Sequence, residues 1–413
     1  MRKLLFFALL SLVTGGIGAP ASAGVDIDSV QGWNQLALSA VRATRASDAD
    51  AARWYAMVDV AMYDAVNGVA RRPRTPALVP FRGPRDGDPQ AAAAAAAHEV
   101  LVAVDAARAA TYDARLADDL ARLGSGHRVT RGAAWGRTVG AAVVEARSDD
   151  GSTPVETQPA GAGPGVFRAA WAGVQYRNVR PFAVAVPGAY VPGPPPALDS
   201  VPYAGAFAEV AVLGNAALPA PDLLTTYQFW SLPAGSSQPP GEWLRIALEV
   251  AQGRDLPLAE EARLAALLTM ALADTTVATV STKYIYRHWR PTTAIHEADT
   301  DGNPVTTADP AWAPRAGSAG GTPEYVSGHS SYSGAGAGVL AGFFGTDAIP
   351  FAHATDSAPA GTPRTYSGFA AAAAEAGRSR VFGGQHFEFS NQAGLRLGNG
   401  IGVEVVTTKL LPR

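Results

Sequence analysis

Three short stretches in the second half of the chain combine cations, imidazoles and small polar residues in a pattern suited to an oxyanion. In KYIYRHWRP, Lys283 and Arg290 stand seven residues apart, two helical turns, so the spacing predicts that both project from one face of a helix end. In EYVSGHSSYSG, Glu324 to Gly334, the predicted helix start brings the Ser327 hydroxyl, the Gly328 N–H and the His329 imidazole toward one anion. In SRVFGGQH, Arg380 offers a planar fork for oxyanions, and Gly383 and Gly384 permit a tight turn that returns His386 to its neighbourhood. Each stretch alone has an ordinary reading: a solvated helix end beside a favourable dipole, a turn, a satisfied buried histidine. Ser125-Gly126-His127 repeats the tripeptide without the small residues that follow Ser327-Gly328-His329, and it reads as a turn.

Lysine usage sharpens the first stretch. Beyond the first three residues only Lys283 and Lys409 occur, while arginine carries the bulk of the positive charge. An internal lysine in such a chain is expected to be needed as lysine, and Lys409 near the C-terminus carries no such implication.

The elements that must position these residues are helical. Residues 32–68 read as two helices with an Asp/Ser-rich junction at 47–50, and 90–123 and 129–147 as further helices. The run Ala91 to Ala97 reads as a close helix contact. Residues 149–200 turn to Gly, Pro and polar residues with scattered aromatics, and are expected to wrap over the body and to line a site mouth. Residues 258–289 are too apolar all round for a surface helix and read as the central helix of a bundle. Later helices are expected from the Ser327-Gly328-His329 stretch onward, at 365–377 and at 387–407. No stretch persuades as a sheet, and none repeats.

Met1 to Ala23 has the basic start, apolar run and small-residue end of a signal peptide, which predicts a secreted or periplasmic protein beginning at Gly24. No later stretch reads as apolar enough to span a membrane. The chain has 413 residues, no cysteine and a net charge of −3 with both signs interspersed. That charge pattern excludes a nucleic-acid surface, and the missing cysteine excludes disulfides. One catalytic unit, 24–413, is expected, with an N-terminal bundle over 24–215 and the oxyanion site on a second bundle over 216–413.

Taken together, Lys with six residues before Arg-Pro, then Ser-Gly-His, then Ser-Arg with five residues before His resemble the superfamily of vanadium-dependent haloperoxidases and type 2 phosphatidic acid phosphatases. WNQLALSAVR, AMYDAVNG, PPPALDSVPYAGAFAEVAVLG and PPGEWLRIALEVA are similar to its bacterial, secreted, haloperoxidase-like branch. The resemblance implies an all-α double helical bundle with a long Pro/Gly-rich loop between the halves. It implies that Lys283, Arg290 and Arg380, with Ser327 and Gly328, hold vanadate, and that phosphate can occupy the same site. His386 would be the nitrogen ligand of vanadium, or the nucleophile in a phosphatase, and His329 the general acid and base. The implied activity is oxidation of halide by hydrogen peroxide. The alternative is hydrolysis of phosphate monoesters through a phosphohistidine, and a third reading is an oxyanion-binding remnant without activity. The partners are small molecules in every case, and the sequence sets no oligomeric state.

Three positions depart from the family pattern. Val326 replaces the proline before the triplet. Ser390 stands where an aspartate would orient the His386 ring, which predicts a weaker ligand unless Glu388 or a backbone carbonyl substitutes. Thr322 stands where halogenating members carry an aromatic residue or a histidine. His288 and His296 read as structural or surface residues.

Overall fold

The computed structural model describes residues 28–413, so the leader expected at Met1 to Ala23 lies outside the described residues. Among the described residues the chain forms thirteen α-helices and two minimal β-ladders. α1 (Ser29–Thr44) begins where the Asp28 carboxylate accepts the Gln31 N–H, and it stops at Arg45, whose backbone is left-handed. α2 (Asp48–Val69) is capped by Ser47, which accepts the Asp50 N–H. α3 (Pro89–Val104), α4 (Ala109–Leu123) and α5 (His127–Arg147) complete the first bundle. Ala91 to Ala97 are all fully buried and face the glycines of α5; a Cβ on Gly140 would stand 2.6 Å from the Ala96 carbonyl oxygen. The alanine run is therefore the close helix contact that the sequence predicts.

Residues 149–200 wrap over this body as expected, and they carry β1 (Thr157–Gln158) paired antiparallel with β2 (Trp171–Ala172). The wrap is anchored by Asp274, which accepts the backbone N–H groups of Phe182, Ala183 and Val184 at 2.7–2.8 Å. Asp64 holds Ala77, Leu78 and Val79 in the same way. Both carboxyls are pushed up to about 6 by burial, with the donated N–H groups pulling against it. These matched anchors satisfy backbone that the loops would otherwise leave unpaired against the core.

The remaining helices begin inside the stretch expected in the N-terminal bundle, since α6 (Val201–Leu213) packs on later helices; then come α7 (Pro221–Phe229), α8 (Gln238–Gln252), α9 (Leu258–Tyr286), α10 (Pro291–His296) and α11 (Gly328–Phe344). After them come β3 (Phe351–His353), its antiparallel partner β4 (Arg364–Tyr366), α12 (Phe369–Phe382) and α13 (Glu388–Thr408). α9 is the central helix, packed on α2, α8, α11 and α13. By length and composition it is apolar enough to cross a membrane, which corrects the reading that no later stretch is. Its most apolar window is 94% buried inside the fold, as befits a core helix. α11 and α13 approach closely along small residues, since a Cβ on Gly402 would lie 2.6 Å from the Ala335 carbonyl oxygen and one on Gly394 2.7 Å from that of Ser327. One core cluster runs from Val30 in α1 to Leu410 beyond α13, and two smaller ones gather around Trp289 and around Trp171.

Two boundaries differ from expectation. α9 ends at Tyr286, where Arg287 adopts φ 49°, and Pro291 begins α10 instead of merely ending the long helix. Lys283 and Arg290 therefore do not share one helix face: Lys283 is on the last turn of α9, and Arg290 is the extended residue before α10. The helix expected at 365–377 begins only at Phe369, because Arg364 to Tyr366 pair with β3 and the Tyr366 ring packs on Phe351 with centroids 5.4 Å apart.

Candidate oxyanion-binding active site

The broken helix still delivers both cations to one place. Lys283, Arg290, Arg380 and His386 are only 4–6% exposed, and they converge beside the start of α11. Lys283 Nζ donates to the Pro323 carbonyl and lies 3.5 Å from that of Glu324, immediately before the helix start. Arg290 donates from Nε to the Thr322 carbonyl (2.8 Å) and from Nη1 to the Gln385 carbonyl (2.8 Å). The backbone of Gly320, at φ 92°, lies over the guanidinium so closely that a Cβ there would be 2.8 Å from Cζ. Arg380 donates from Nη1 to the Trp230 carbonyl (3.3 Å) and from Nη2 to the Gln385 side chain, with the Tyr227 ring centroid 5.2 Å away. Its Nε is buried with no hydrogen-bond partner.

Burial pushes both guanidinium groups down to about 10, which leaves them charged at neutral pH. Lys283 is pushed well below its ordinary value by burial and by Arg290, against the pull of Glu324 and Asp48. An anion among these groups would restore its charge.

The imidazole of His386 is held at both nitrogens. Nε2 lies 2.9 Å from Arg290 Nη1, and Nδ1 lies 2.9 Å from Glu324 Oε1. Arginine can only donate, so Nε2 carries the lone pair and Nδ1 carries the proton, which goes to the carboxylate. Burial and Arg290 push the ring well below its ordinary pKa, so it is neutral. Glu324 is fully buried; burial pushes it up, but His288 and His386 hold it well below the usual carboxylate range. Its Oε1 also accepts the Phe387 N–H at 3.0 Å, and its Oε2 lies 3.4 Å from His288 Nδ1.

Ser390 is the lesser partner of His386: its Oγ lies 3.4 Å from Nδ1, farther than Glu324 Oε1 at 2.9 Å, and it lends no negative charge. Its hydroxyl donates to the Glu324 carbonyl at 3.2 Å, and Glu388 is engaged by Arg378, Asn391 and Gln392. The expected weakening of His386 is corrected, because the missing charge comes from Glu324, three residues before Ser327. Of the two readings for His288, structural or surface, the fold gives the structural one: it is buried against this carboxylate, among Tyr203, Phe387 and Phe389.

The Ser327 hydroxyl accepts the Ser330 N–H as the cap of α11, and its Oγ also lies 2.8 Å from the Ser330 hydroxyl, which reaches on to Asn391 Oδ1. The Gly328 and His329 N–H groups precede the first turn, which closes from Ser331 to the Ser327 carbonyl. His329 Nε2 lies 3.2 Å from the Ser231 carbonyl oxygen, so Nε2 carries the proton and the lone pair of the neutral ring is on Nδ1. Burial, then Arg380, push this imidazole well below its ordinary value.

Residues 263–410 match the family model of the VCPO second helical-bundle domain. The whole chain is similar in structure to a bacterial vanadium-dependent iodoperoxidase, with a TM-score of 0.78, 22% identity, and 94% of this chain and 98% of that one covered. The holo form of a bacterial vanadium-dependent chloroperoxidase follows at TM-score 0.65 and 15% identity, covering 88% and 92%, and its apo form at 0.65 and 14%, covering 86% and 92%. No curated protein matches the sequence. The fold is that of the vanadium haloperoxidase superfamily.

Within this haloperoxidase fold all seven residues singled out from the sequence, Lys283, Arg290, Ser327, Gly328, His329, Arg380 and His386, gather at the start of α11. Three neighbours were not singled out: Glu324, Gln385 and Asp48. Gln385 joins Arg380 to the carbonyl of Ser318, and the only hint of it was its place in the turn between Arg380 and His386. Glu324 carried a signal in retrospect, as an acid set next to Tyr325 and Val326 in a stretch that otherwise reads as buried or small. Asp48 comes from α2, so the surroundings of the cradle are not confined to the second bundle.

Proposed function

We propose that the chain is a vanadate-dependent peroxidase that oxidises halide with hydrogen peroxide. The observation that carries this reading is the His386 ring, neutral, with its Nδ1–H donated to the Glu324 carboxylate and its Nε2 lone pair presented among three buried cations. The donor set fits a tetrahedral oxyanion: the guanidiniums of Arg290 and Arg380, the latter with a buried Nε lacking a partner, the Lys283 ammonium, the Ser327 hydroxyl and the N–H groups at the start of α11. His386 Nε2 would be the protein ligand. Vanadate, when bound, supplies a Lewis-acidic centre for hydrogen peroxide.

The chain's own residues do the rest. Neutral His329 accepts a proton from peroxide at Nδ1 and returns one to the departing oxygen. Halide loses two electrons to give hypohalous acid, peroxide is reduced to water, and one proton is consumed. A neutral His329 suits proton acceptance better than protonation of a phosphate ester's leaving group, so the phosphatase reading ranks second. Likeness in fold to an iodoperoxidase supports the same choice. Thr322 is spent on Arg290, with Oγ1 3.3 Å from Nη2, and offers no ring to wall a halide site.

The test is oxidation of iodide, bromide and chloride by stripped protein before and after vanadate is added. Activity is expected to return with vanadate, iodide above bromide and bromide far above chloride. Hydrolysis of an aryl phosphate with no vanadate-dependent oxidation would overturn the proposal. From the leader at Met1 to Ala23 we further propose that the mature protein works outside the cytoplasm, and a secreted species with the intact mass of residues 24–413 is the expected check.

A further inference from the structure

Beside the cradle lies a cavity of ≈ 90 Å³ lined by Asp48, Trp171, Tyr332, Lys283, Thr322 and Gly328. Asp48 and Trp171 come from the first bundle and from the wrapping segment, and nothing in the proposed peroxide chemistry uses either. Asp48 is the first residue of α2, where an acid is favourable to the helix dipole. That role does not account for its setting. Oδ1 accepts the Ala49 N–H at 2.9 Å, while Oδ2 points across the bundle interface and lies 3.7 Å from where a Cβ on Gly328 would stand. Asp48 nonetheless stays exposed, so its carboxylate faces the cavity while remaining open to solvent.

Charge bookkeeping explains what such a group can select. A dianionic oxyanion together with Glu324 balances the three cations Lys283, Arg290 and Arg380. Asp48 is then the uncompensated charge, and it disfavours a second anion at this side of the cradle. Trp171 supplies the complementary surface: it is buried, its indole N–H is committed to Gln158 at 2.8 Å, and its ring forms one wall. An aromatic wall with a carboxylate recognises a ring or apolar body bearing a cation.

We propose that this cavity binds an organic ammonium, its apolar or aromatic body against Trp171 and its cationic nitrogen on Asp48, next to the occupied cradle. Asp48 and Trp171 are then the residues that decide which organic co-substrate is admitted. The inference rests on the cradle holding an oxyanion, as in the proposed function, and not on any oxidation step.

The experiment uses the full mature chain saturated with inorganic phosphate and measures benzylamine and benzoate binding by calorimetry at neutral pH. The parent protein is expected to bind benzylamine about tenfold or more tightly than benzoate. Asp48→Asn should erase that preference and tighten phosphate itself a few-fold. Trp171→Leu should weaken benzylamine about threefold while the preference for cation over anion remains. Equal binding of the two probes by the parent, or a preference that survives Asp48→Asn, overturns the inference. Because neither peroxide nor vanadate is present, an amine preference in a protein that lacks peroxidase activity would sink the proposed function and leave this site standing. Failure to bind phosphate would overturn the cradle and the site together.

Discussion

Glu324 Oε1 and His386 Nδ1 stand 2.9 Å apart, a carboxylate and an imidazole brought together across 62 residues of sequence in a fully buried setting. The pair sets the tautomer of His386 and presents Nε2 to the cradle, while Ser390, four residues beyond His386, adds a 3.4 Å contact to Nδ1 and no charge. Glu324→Gln should therefore weaken phosphate and vanadate binding about 10- to 100-fold, the usual cost of removing the partner that orients a ligating histidine. Ser390→Asp in that background should recover much of the loss. Calorimetry that finds no loss in Glu324→Gln would show that the carboxylate does not support the ring.

The two histidines of the cradle should fail in different ways. His329→Ala should bind vanadate with near-parent affinity and lose about two to four orders of magnitude in turnover. His386→Ala should lose vanadate affinity itself. Equal vanadate affinity in the two variants would refute the division of roles.

Away from the site, His353 is buried between Glu249 (2.7 Å to Nδ1) and Glu242 (2.8 Å to Nε2). Burial pushes the ring down, but the hydrogen bonds it donates to the two glutamates outweigh it and hold the pKa above the ordinary 6.5. A raised histidine pKa stabilises the fold fully below about 6.5, and that contribution is lost as pH rises through the higher folded value. Melting temperature should fall between pH 6 and pH 8 by more in the parent than in His353→Gln. Parallel profiles would show that the charged ring contributes nothing.

The Asp274 anchor ties the wrapping segment to the central helix. Asp274→Ala would leave the N–H groups of Phe182, Ala183 and Val184 buried without an acceptor, and should cost about 3 kcal/mol or more in denaturant unfolding, taking each lost acceptor at about 1 kcal/mol or above. The wrap also carries Trp171, so the same variant should loosen the cavity wall and speed proteolysis between 149 and 200. Stability within 1 kcal/mol of the parent would mean that the loop is held elsewhere.

The order of the helices was legible from local spacing, and the candidate oxyanion residues from motifs that resemble a known family. Apolar periodicity marked the central helix from Leu258, the Ser327 cap and Gly328 marked the start of α11, and the buried charges stood out in a chain almost without lysine. Pairings that cross the fold were not legible. Nothing within a few residues of His386 announces that its partner is Glu324, because the contact exists only once α11 and α13 pack along their small residues and carry both ends together. The break at Arg287 was hidden for a related reason: local pattern favours continuing the helix to Trp289. In the fold the Phe167 N–H takes the Arg287 carbonyl at 2.7 Å, and the Trp289 N–H goes to Gly165. Sequence by itself determined an all-α fold and a set of cations for one anion. Tertiary structure alone decided which carboxylate accepts the His386 Nδ1–H, and that Asp48 of the other bundle faces the same cavity, because both are outcomes of helix packing between residues far apart in the chain.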